Sequence, residues 1–474
     1  MTPRSGLSRG AVLIGIIVLA ALVVGLLFTL DMGGDGGDEQ LPGDEGVTLK
    51  IITRHPTTIW TLARQNFLAS DLAREYGITD LKFIGPNPTL WLDTIEREGD
   101  IDVAWGGGPT IFDLLLREDL LAPLEEESTL EVLEEIPDEL GGSPLKRVVD
   151  GDVYWVAAAI SSFGFIVNSH VIQQYDLPPP ERWEDLGGLD FAKLLPKPMV
   201  AYARPTTSTS HTRIYQIILQ KFGWEQGWVV ITRMAANGRP FDGSVEALSA
   251  VEAGEVAVSI GIDFYGYTAQ LEYPGLYYVL PFNESIINGD PIAVLKTSRN
   301  KAAAEAFIRW VLSVEGQKIW LDERINRMPV RPDVFQTPEG MERPDLYKSY
   351  NDTVNNLGIP FNDTLALMTE FAMRYYFDAV LADVHADLVK AWKAIVDAYL
   401  EGRITEEEFN YWVYELGKPL TWEEDGVEYT FTLEFAMSIN DLLRTDPEAV
   451  SKYSRIWRDA ARERYLYIYN ALQG

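Results

Sequence analysis

The sequence predicts an α/β protein of two successive strand-and-helix sets, followed by a mainly helical C-terminal module. Three observations carry this. From Val47, short β-branched runs alternate with amphipathic stretches, the pattern of a parallel, doubly wound sheet. A second alternation begins after "VYWVAAAISSFGFIVNSHVI". From about residue 345 the apolar spacing becomes that of long helices.

In the first set, "VTLKIIT" reads as a strand and "TTIWTLARQNFLASDLAREYG" as helix ending at Gly77. "LKFIG" is a strand, "PTLWLDTIEREG" a helix, and "IDVAWGGG" a strand running into a glycine turn. "PTIFDLLLREDL" is a helix with Pro109 in its first turn. The second set reads "PKPMVAYARPTTSTS" as strand then loop and "HTRIYQIILQKFGW" as helix. "VAVSIGIDFYGYTAQL" follows as strand and helix start, then the strands "GLYYVLPF" and "GDPIAVL" and two helices to "QKIWLDE". In the last module, "LALMTEFAMRYYFDAVLADVHADLVKAWKAIVDAYLEG" and "AVSKYSRIWRDAARERYLYIYNALQ" are helical, interrupted by the strand-like "VEYTFTLEF".

At 474 residues the chain is long enough for several cores, and 47% hydrophobic with 23% charged residues is globular composition. A formal net charge of -31 argues against nucleic acid and anionic membrane surfaces as partners. The absence of cysteine excludes disulfides, thiolate metal sites and a lipid-modified cysteine. Arg4 and Arg9 precede an uncharged apolar run at residues 11–30, long enough to cross a bilayer core of about 30 Å. Residues 1–30 are therefore expected to anchor the chain as an uncleaved single-pass helix, with cleavage as a signal peptide the competing reading. Positive charge before the run and acid after it put the bulk of the chain outside the cell. Residues 31–46, rich in Gly and Asp, read as a flexible tether.

The chain has four histidines, His55, His170, His211 and His385, without zinc-enzyme spacing, and lacks GxSxG, P-loop and GxGxxG in their required contexts. No nucleophile is paired with a base, so an enzyme is not expected. "WGGGPT" is either a tight turn or a place where the amides of Gly107 and Gly108 approach a ligand. His55, at the end of the first strand, is expected beside that turn. Ser161 and Ser162 are a buried polar break or a hydroxyl pair facing a cleft. Asp263, Tyr265 and Tyr267 follow an apolar strand, with Asp263 either a helix cap or a site residue. "ARPTTSTSHT" places five hydroxyls, residues 206–210, directly before a helix, where one cap needs one. Hydroxyls and free amides at a helix N-terminus favour negative charge, which predicts a small anionic or polar ligand.

The stretches "DVAWGGGPTIFDLLLREDLLAPL", "GFIVNSHVIQQYDLPPPERWEDL", "ARPTTSTSHTRIYQIILQKFGWEQGW", "VEAGEVAVSIGIDFYGYTA", "GDPIAVLKTSRNKAAAEAFIRWVLSVEGQKIW" and "MPVRPDVF" resemble, in order and spacing, an extracellular solute-binding protein of an ABC importer. The resemblance covers roughly residues 47 to 336. It is to the branch holding ferric-iron, sugar-phosphate, phosphoglycerate and aminoethylphosphonate binders. It implies a type II-like periplasmic-binding-protein fold that closes on its ligand by hinge motion, with residues 47–158 and 289–340 as lobe 1 and 159–288 as lobe 2. Residues 341–474 fall outside it. It also implies ABC permease subunits as partners and no cofactor, ferric iron being at most a transported ligand.

In anion-binding relatives the hydroxyl loop contacts the ligand, which assigns that role to Thr206, Ser208 and Ser210. Arg204 stands where an acidic residue often lies, a change expected to strengthen anion attraction. In ferric relatives a His near the first strand and adjacent tyrosines hold the metal. That set would be His55, Tyr265 and Tyr267, but here Gly266 separates the tyrosines. The expected ligand set is therefore His55, Gly107, Gly108, Ser161, Ser162, Thr206, Ser208, Ser210, Asp263 and Tyr265, around an anionic or phosphorylated solute. A ferric-iron receptor is the alternative, and a surface enzyme or a sensory or adhesion protein is the alternative of another class.

Overall fold

The computed structural model describes residues 46–87, 90–356 and 358–473. The expected anchor and nearly all of the tether lie outside them. Among the described residues no helix is long and apolar enough to cross a membrane.

The first sheet has eight strands: Met328–Pro329, Asp152–Ser161, Asn288–Leu295, Val103–Trp105, Val47–Thr53 and Ile78–Ile84 lie in that order, Leu121–Ala122 pairs with Asn288–Leu295, and Lys146–Val149 pairs with Asp152–Ser161. Its helices include α1 (Thr57–Leu68) and α2 (Pro109–Arg117). A five-stranded sheet follows, ordered Gly238–Phe241, Val200–Ala203, Val258–Ile262, Phe163–Asn168 and Leu276–Val279. Helices α3 (Thr209–Phe222), α4 (Ser244–Glu252) and α5 (Asp263–Glu272) pack with it.

The strand–helix alternation predicts parallel sheets, but both sheets are mixed. The strands nearest the N-terminus pair in parallel, but Asn288–Leu295 runs antiparallel to both Val103–Trp105 and Asp152–Ser161. In the second sheet Phe163–Asn168 is antiparallel to both its neighbours. The cause is the chain's path: Asp152–Ser161 passes through Ser162 into the second sheet, and the chain returns through residues 280–287. These crossings lie side by side, since Ser161 pairs with Asn288 and the Ser285 hydroxyl donates to the Phe163 carbonyl at 2.8 Å. Two adjacent extended segments joining two lobes make a hinge.

The expected module of residues 341–474 divides: the helix Pro344–Asn355 buries Leu346 and Tyr350 in the core of the eight-stranded sheet, and the C-terminal module itself comprises α6 (Asp363–Phe377), α7 (His385–Leu400), α8 (Glu406–Gly417), α9 (Leu433–Thr445) and α10 (Pro447–Leu472). Each start is locally coded. Asn362 caps α6 by accepting from the Leu365 amide, Thr405 and Glu408 form a capping box on α8, and Asp446 precedes Pro447 at α10. The strand-like interruption is a hairpin, Thr421–Glu424 with Val427–Thr430.

The module shares one continuous core with the second sheet. Tyr215 stacks on Phe377 at 4.2 Å, Tyr376 stacks on Phe431 at 3.7 Å, and the Trp392 indole donates to Asn237 at 2.7 Å. One residue of the first lobe, Leu114 on α2, is buried in this same cluster.

Candidate functional site

Between the sheets lies a cleft with a volume of about 280 Å³. The starts of α1, α2, α3, α4 and α5 all border it, through Pro56, Gly108, Thr209, Ser244 and Phe264. Each helix start brings the positive end of its dipole, so five together favour a negatively charged occupant, although carboxylates of the protein already take the amides at the starts of α2 and α5.

The glycine turn is set by backbone geometry. Gly106, Gly107 and Gly108 have φ of 75°, 119° and 89°, a left-handed run that side chains resist. A Cβ on Gly106 would also meet the His55 ring at 2.6 Å. The amides of this turn are engaged from within the protein: Asp290 Oδ1 accepts from Gly107 at 3.0 Å and Gly108 at 3.3 Å. Arg327 neutralises Asp290 at 2.7 Å.

His55 forms part of this arrangement. Its Nδ1 accepts from Arg327 Nη1 at 3.2 Å, which places the proton on Nε2, 3.7 Å from Asp290. Burial against Trp105 and Trp320 pushes its pKa down to about 3, with Asp290 opposing, so the ring is neutral at physiological pH. Tyr265 also borders the cleft, and burial raises its phenol, opposed by the charges of Arg327 and Arg54.

The cleft carries four arginines, Arg54, Arg213, Arg327 and Arg374, against three carboxylates, Glu246, Asp290 and Glu370. Arg374 pairs with Glu370, and Arg213 with Asp363 at 2.6 Å. Arg54 donates to the Pro86 carbonyl at 2.9 Å and has no carboxylate partner among the described residues. Its pKa is lowered first by burial and then by the like charge of Arg374, with Tyr265 opposing. The Nε groups of Arg54, Arg213 and Arg327 are buried with no acceptor among the described residues. Leaving a buried donor unmade costs about 1–3 kcal/mol.

With this geometry the model of the family described as bacterial extracellular solute-binding protein matches residues 108–352, just over half of the chain. The chain belongs to that family. It is 27% identical over 282 residues to the phosphoglycerate transport regulatory protein PgtC of Salmonella typhimurium, an alignment covering 59% of this chain and 66% of the relative. This solute-binding protein thus spans slightly less than two thirds of that relative's length. The periplasmic binding protein AfuA of Actinobacillus pleuropneumoniae, solved with fructose-6-phosphate bound, superposes with a TM-score of 0.52 at 18% identity, over 65% of this chain and 98% of that one. The ferric binding protein from Campylobacter jejuni gives 0.50 at 18% identity, over 65% and 98%. These two likenesses establish the two-lobed periplasmic-binding-protein fold.

Within this solute-binding protein, His55, Gly107, Gly108, Ser208, Ser210 and Tyr265 border the cleft together. Ser208 acts as the N-cap of α3, accepting from the His211 amide at 3.2 Å, and its hydroxyl also meets Ser244 Oγ at 2.7 Å and His211 Nδ1 at 3.0 Å. Thr207 and Thr209, absent from the expected set, border the cleft as well. Thr206 turns away and donates to Asp378 in the C-terminal module.

Ser161, Ser162 and Asp263 lie at the hinge and do not border the cleft. Asp263 Oδ2 accepts the Ser162 amide at 2.6 Å and hydroxyl at 3.0 Å, and Oδ1 accepts the Phe264 amide at 2.7 Å, so the carboxylate ties the first crossing to α5. Arg204 also faces elsewhere: it pairs with Asp383 at 2.8 Å and lies near Asp378 and Asp242. Its charge is neutralised outside the cleft.

Tyr267 lies two residues beyond Tyr265 on α5, on the opposite helix face. It borders a different cavity with Tyr278 and Ser349. The set His55, Tyr265 and Tyr267 therefore does not converge.

Sequence reasoning missed the cleft arginines, Asp290 and Glu370. Arg54 immediately precedes His55, and Arg213 and Asp290 stand inside the stretches "HTRIYQIILQKFGW" and "GDPIAVL". Arg374 and Glu370 come from a segment with no local signal.

Proposed function

We propose that this chain is the receptor of an ABC importer for a small anionic solute carrying a phosphate or comparable oxyanion. The observation that carries this reading is Arg54: a largely buried guanidinium without a carboxylate partner among the described residues, in a cleft bordered by five helix N-termini. Hydroxyls at positions 207–210 add donors for oxyanion oxygens. The name of the Salmonella relative makes phosphoglycerate the first candidate. In this reading the lobes close about the paired crossings and the closed form docks on the permease. Residues 11–30 tether the receptor, with the cleft outside the cell. A second reading, a sensor that reports solute without carrying it, is favoured by the word "regulatory" in that relative's name.

Thermal denaturation of the full chain in mild detergent tests the ligand class, with phosphoglycerate, fructose 6-phosphate, inorganic phosphate, ferric citrate and spermidine in parallel. At about 100 times its dissociation constant the true ligand adds roughly 2.7 kcal/mol. A raised midpoint with the phosphorylated compounds is expected. A rise with ferric citrate alone, lost in Tyr265→Phe, or with spermidine alone, overturns the anion reading.

A further inference from the structure

The C-terminal module lies outside the quoted family resemblance, yet helix α6 reaches the cleft. Arg374 and Glu370, one turn apart on α6, border it alongside Arg54 and Ser210. Both side chains are almost wholly buried, at 5% and 7% exposure. Arg374 Nε donates to Thr212 Oγ1 at 3.1 Å, which fixes the guanidinium against the first turn of α3.

Arg213 is held from three directions. Its Nη1 donates to Thr110 at the start of α2, its Nη2 pairs with Asp363 at the start of α6, and its guanidinium lies 4.1 Å from the centroid of the Phe361 ring. The start of the module thus orients a cleft arginine of the second lobe.

Arg54 stands on the first lobe and Arg374 on the module, and each adds positive charge to the same small cleft. Glu370 is engaged by Arg374, and Arg54 makes no ion pair with either Glu370 or the third cleft carboxylate, Glu246, so an anion placed between the two guanidinium groups gains a charge-assisted contact that neither carboxylate supplies to Arg54.

We propose that the C-terminal module is a third wall of the ligand site, with the solute's anionic group clamped between Arg54 of the first lobe and Arg374 of α6. This rests on the anion-receptor reading and extends it: the solute is recognised by two lobes and a helix from outside them. Glu370 positions Arg374 and, by partly neutralising it, sets how much anionic charge the site accepts.

Calorimetric titration of the full chain in mild detergent, with phosphoglycerate and inorganic phosphate as probes, tests this. Arg374→Met is made together with Glu370→Met, because removing both partners avoids leaving a buried unpaired charge. That pair and Arg54→Gln are each expected to weaken phosphoglycerate binding at least tenfold. Their combination is expected to lose less than the product of the two, since both hold one anion. Binding by the Arg374/Glu370 variant within twofold of wild type, alongside a tenfold loss in Arg54→Gln, overturns the third wall and leaves the anion receptor standing. A wild type that binds neither probe overturns both. Should the double variant not fold, Arg374→Lys keeps the ion pair but loses the planar fork. It is expected to lower the preference for phosphoglycerate over a dicarboxylate at least threefold, and an unchanged preference overturns the clamp.

Discussion

Arg54 is a cation searching for a partner in a chain whose formal net charge is -31. Acid is plentiful elsewhere, and Arg204, Arg213, Arg327 and Arg374 each find a carboxylate. The histidines follow a different logic. His211 is fully buried at the start of α3, and burial pushes its pKa down to about 3, weakly opposed by a backbone contact to Ile260. A depressed histidine binds its proton more readily when unfolded. Its contribution to stability is therefore fully present above about pH 6.5 and is lost as pH falls toward 3, at about 1.4 kcal/mol per pH unit. His55 adds a second such term. Denaturant unfolding of wild type and His211→Gln at pH 7, 6 and 5 checks this. The variant is expected to show a shallower acid loss by one proton's worth of slope, and parallel curves would mean that His211 is charged in the folded state.

At the scale of single elements, the hydroxyl run before α3 divides its work. Positions 207 to 210 all border the cleft, but Ser208 is also the cap, with its hydroxyl shared among the His211 amide, His211 Nδ1 and Ser244, whereas Thr206 turns to Asp378. Ser208→Ala removes the cap and leaves Ser244 Oγ with only its 3.3 Å contact to His211 Nδ1, and is expected to cost about 1–2 kcal/mol of stability, read as a lowered denaturation midpoint in the absence of ligand. A drop in affinity with no loss of stability would instead place the Ser208 hydroxyl on the ligand. This element also shows what the sequence could disclose. Five consecutive hydroxyls in and ahead of a helix start are a local pattern, so α3 and a hydroxyl-rich start to it were legible, as were the glycine turn and the strand and helix order. Which hydroxyl faces the cleft depends on helix rotation and on neighbours such as Asp378, about 170 residues away, which no local pattern carries. Asp290 was illegible for the same reason: its bonds to Gly107 and Gly108 span 183 and 182 residues.

For the whole molecule, the module's attachment is unequal. To the second lobe it is joined by a common core that includes Tyr215, Trp228, Phe377, Trp392 and Trp457, each nearly or wholly buried. At about 1.5–3 kcal/mol per large apolar side chain, that junction does not open without unfolding. To the first lobe it is joined chiefly through α2: Leu114 inserts into the common core, Arg117 meets Asp441 at 2.9 Å, and Arg444 meets Glu118 at 3.1 Å. The closing motion proposed above, about the paired crossings, requires α2 to move against the module. Partly exposed ion pairs contribute about 0.2–1 kcal/mol each and are screened by salt, whereas re-exposing Leu114 costs about 1.5–3 kcal/mol. The apolar contact is the stronger restraint. Leu114→Ala is expected to shift the free protein toward the open form by about tenfold, since 1.4 kcal/mol is a factor of ten. Small-angle scattering reads this as a larger radius of gyration in the absence of ligand that returns to the wild-type value when ligand is saturating. Asp441→Ala with Arg444→Ala is expected to leave that radius nearly unchanged and to remove only its salt dependence. A larger opening in the ionic variant than in Leu114→Ala would mean that charge holds the first lobe against the module.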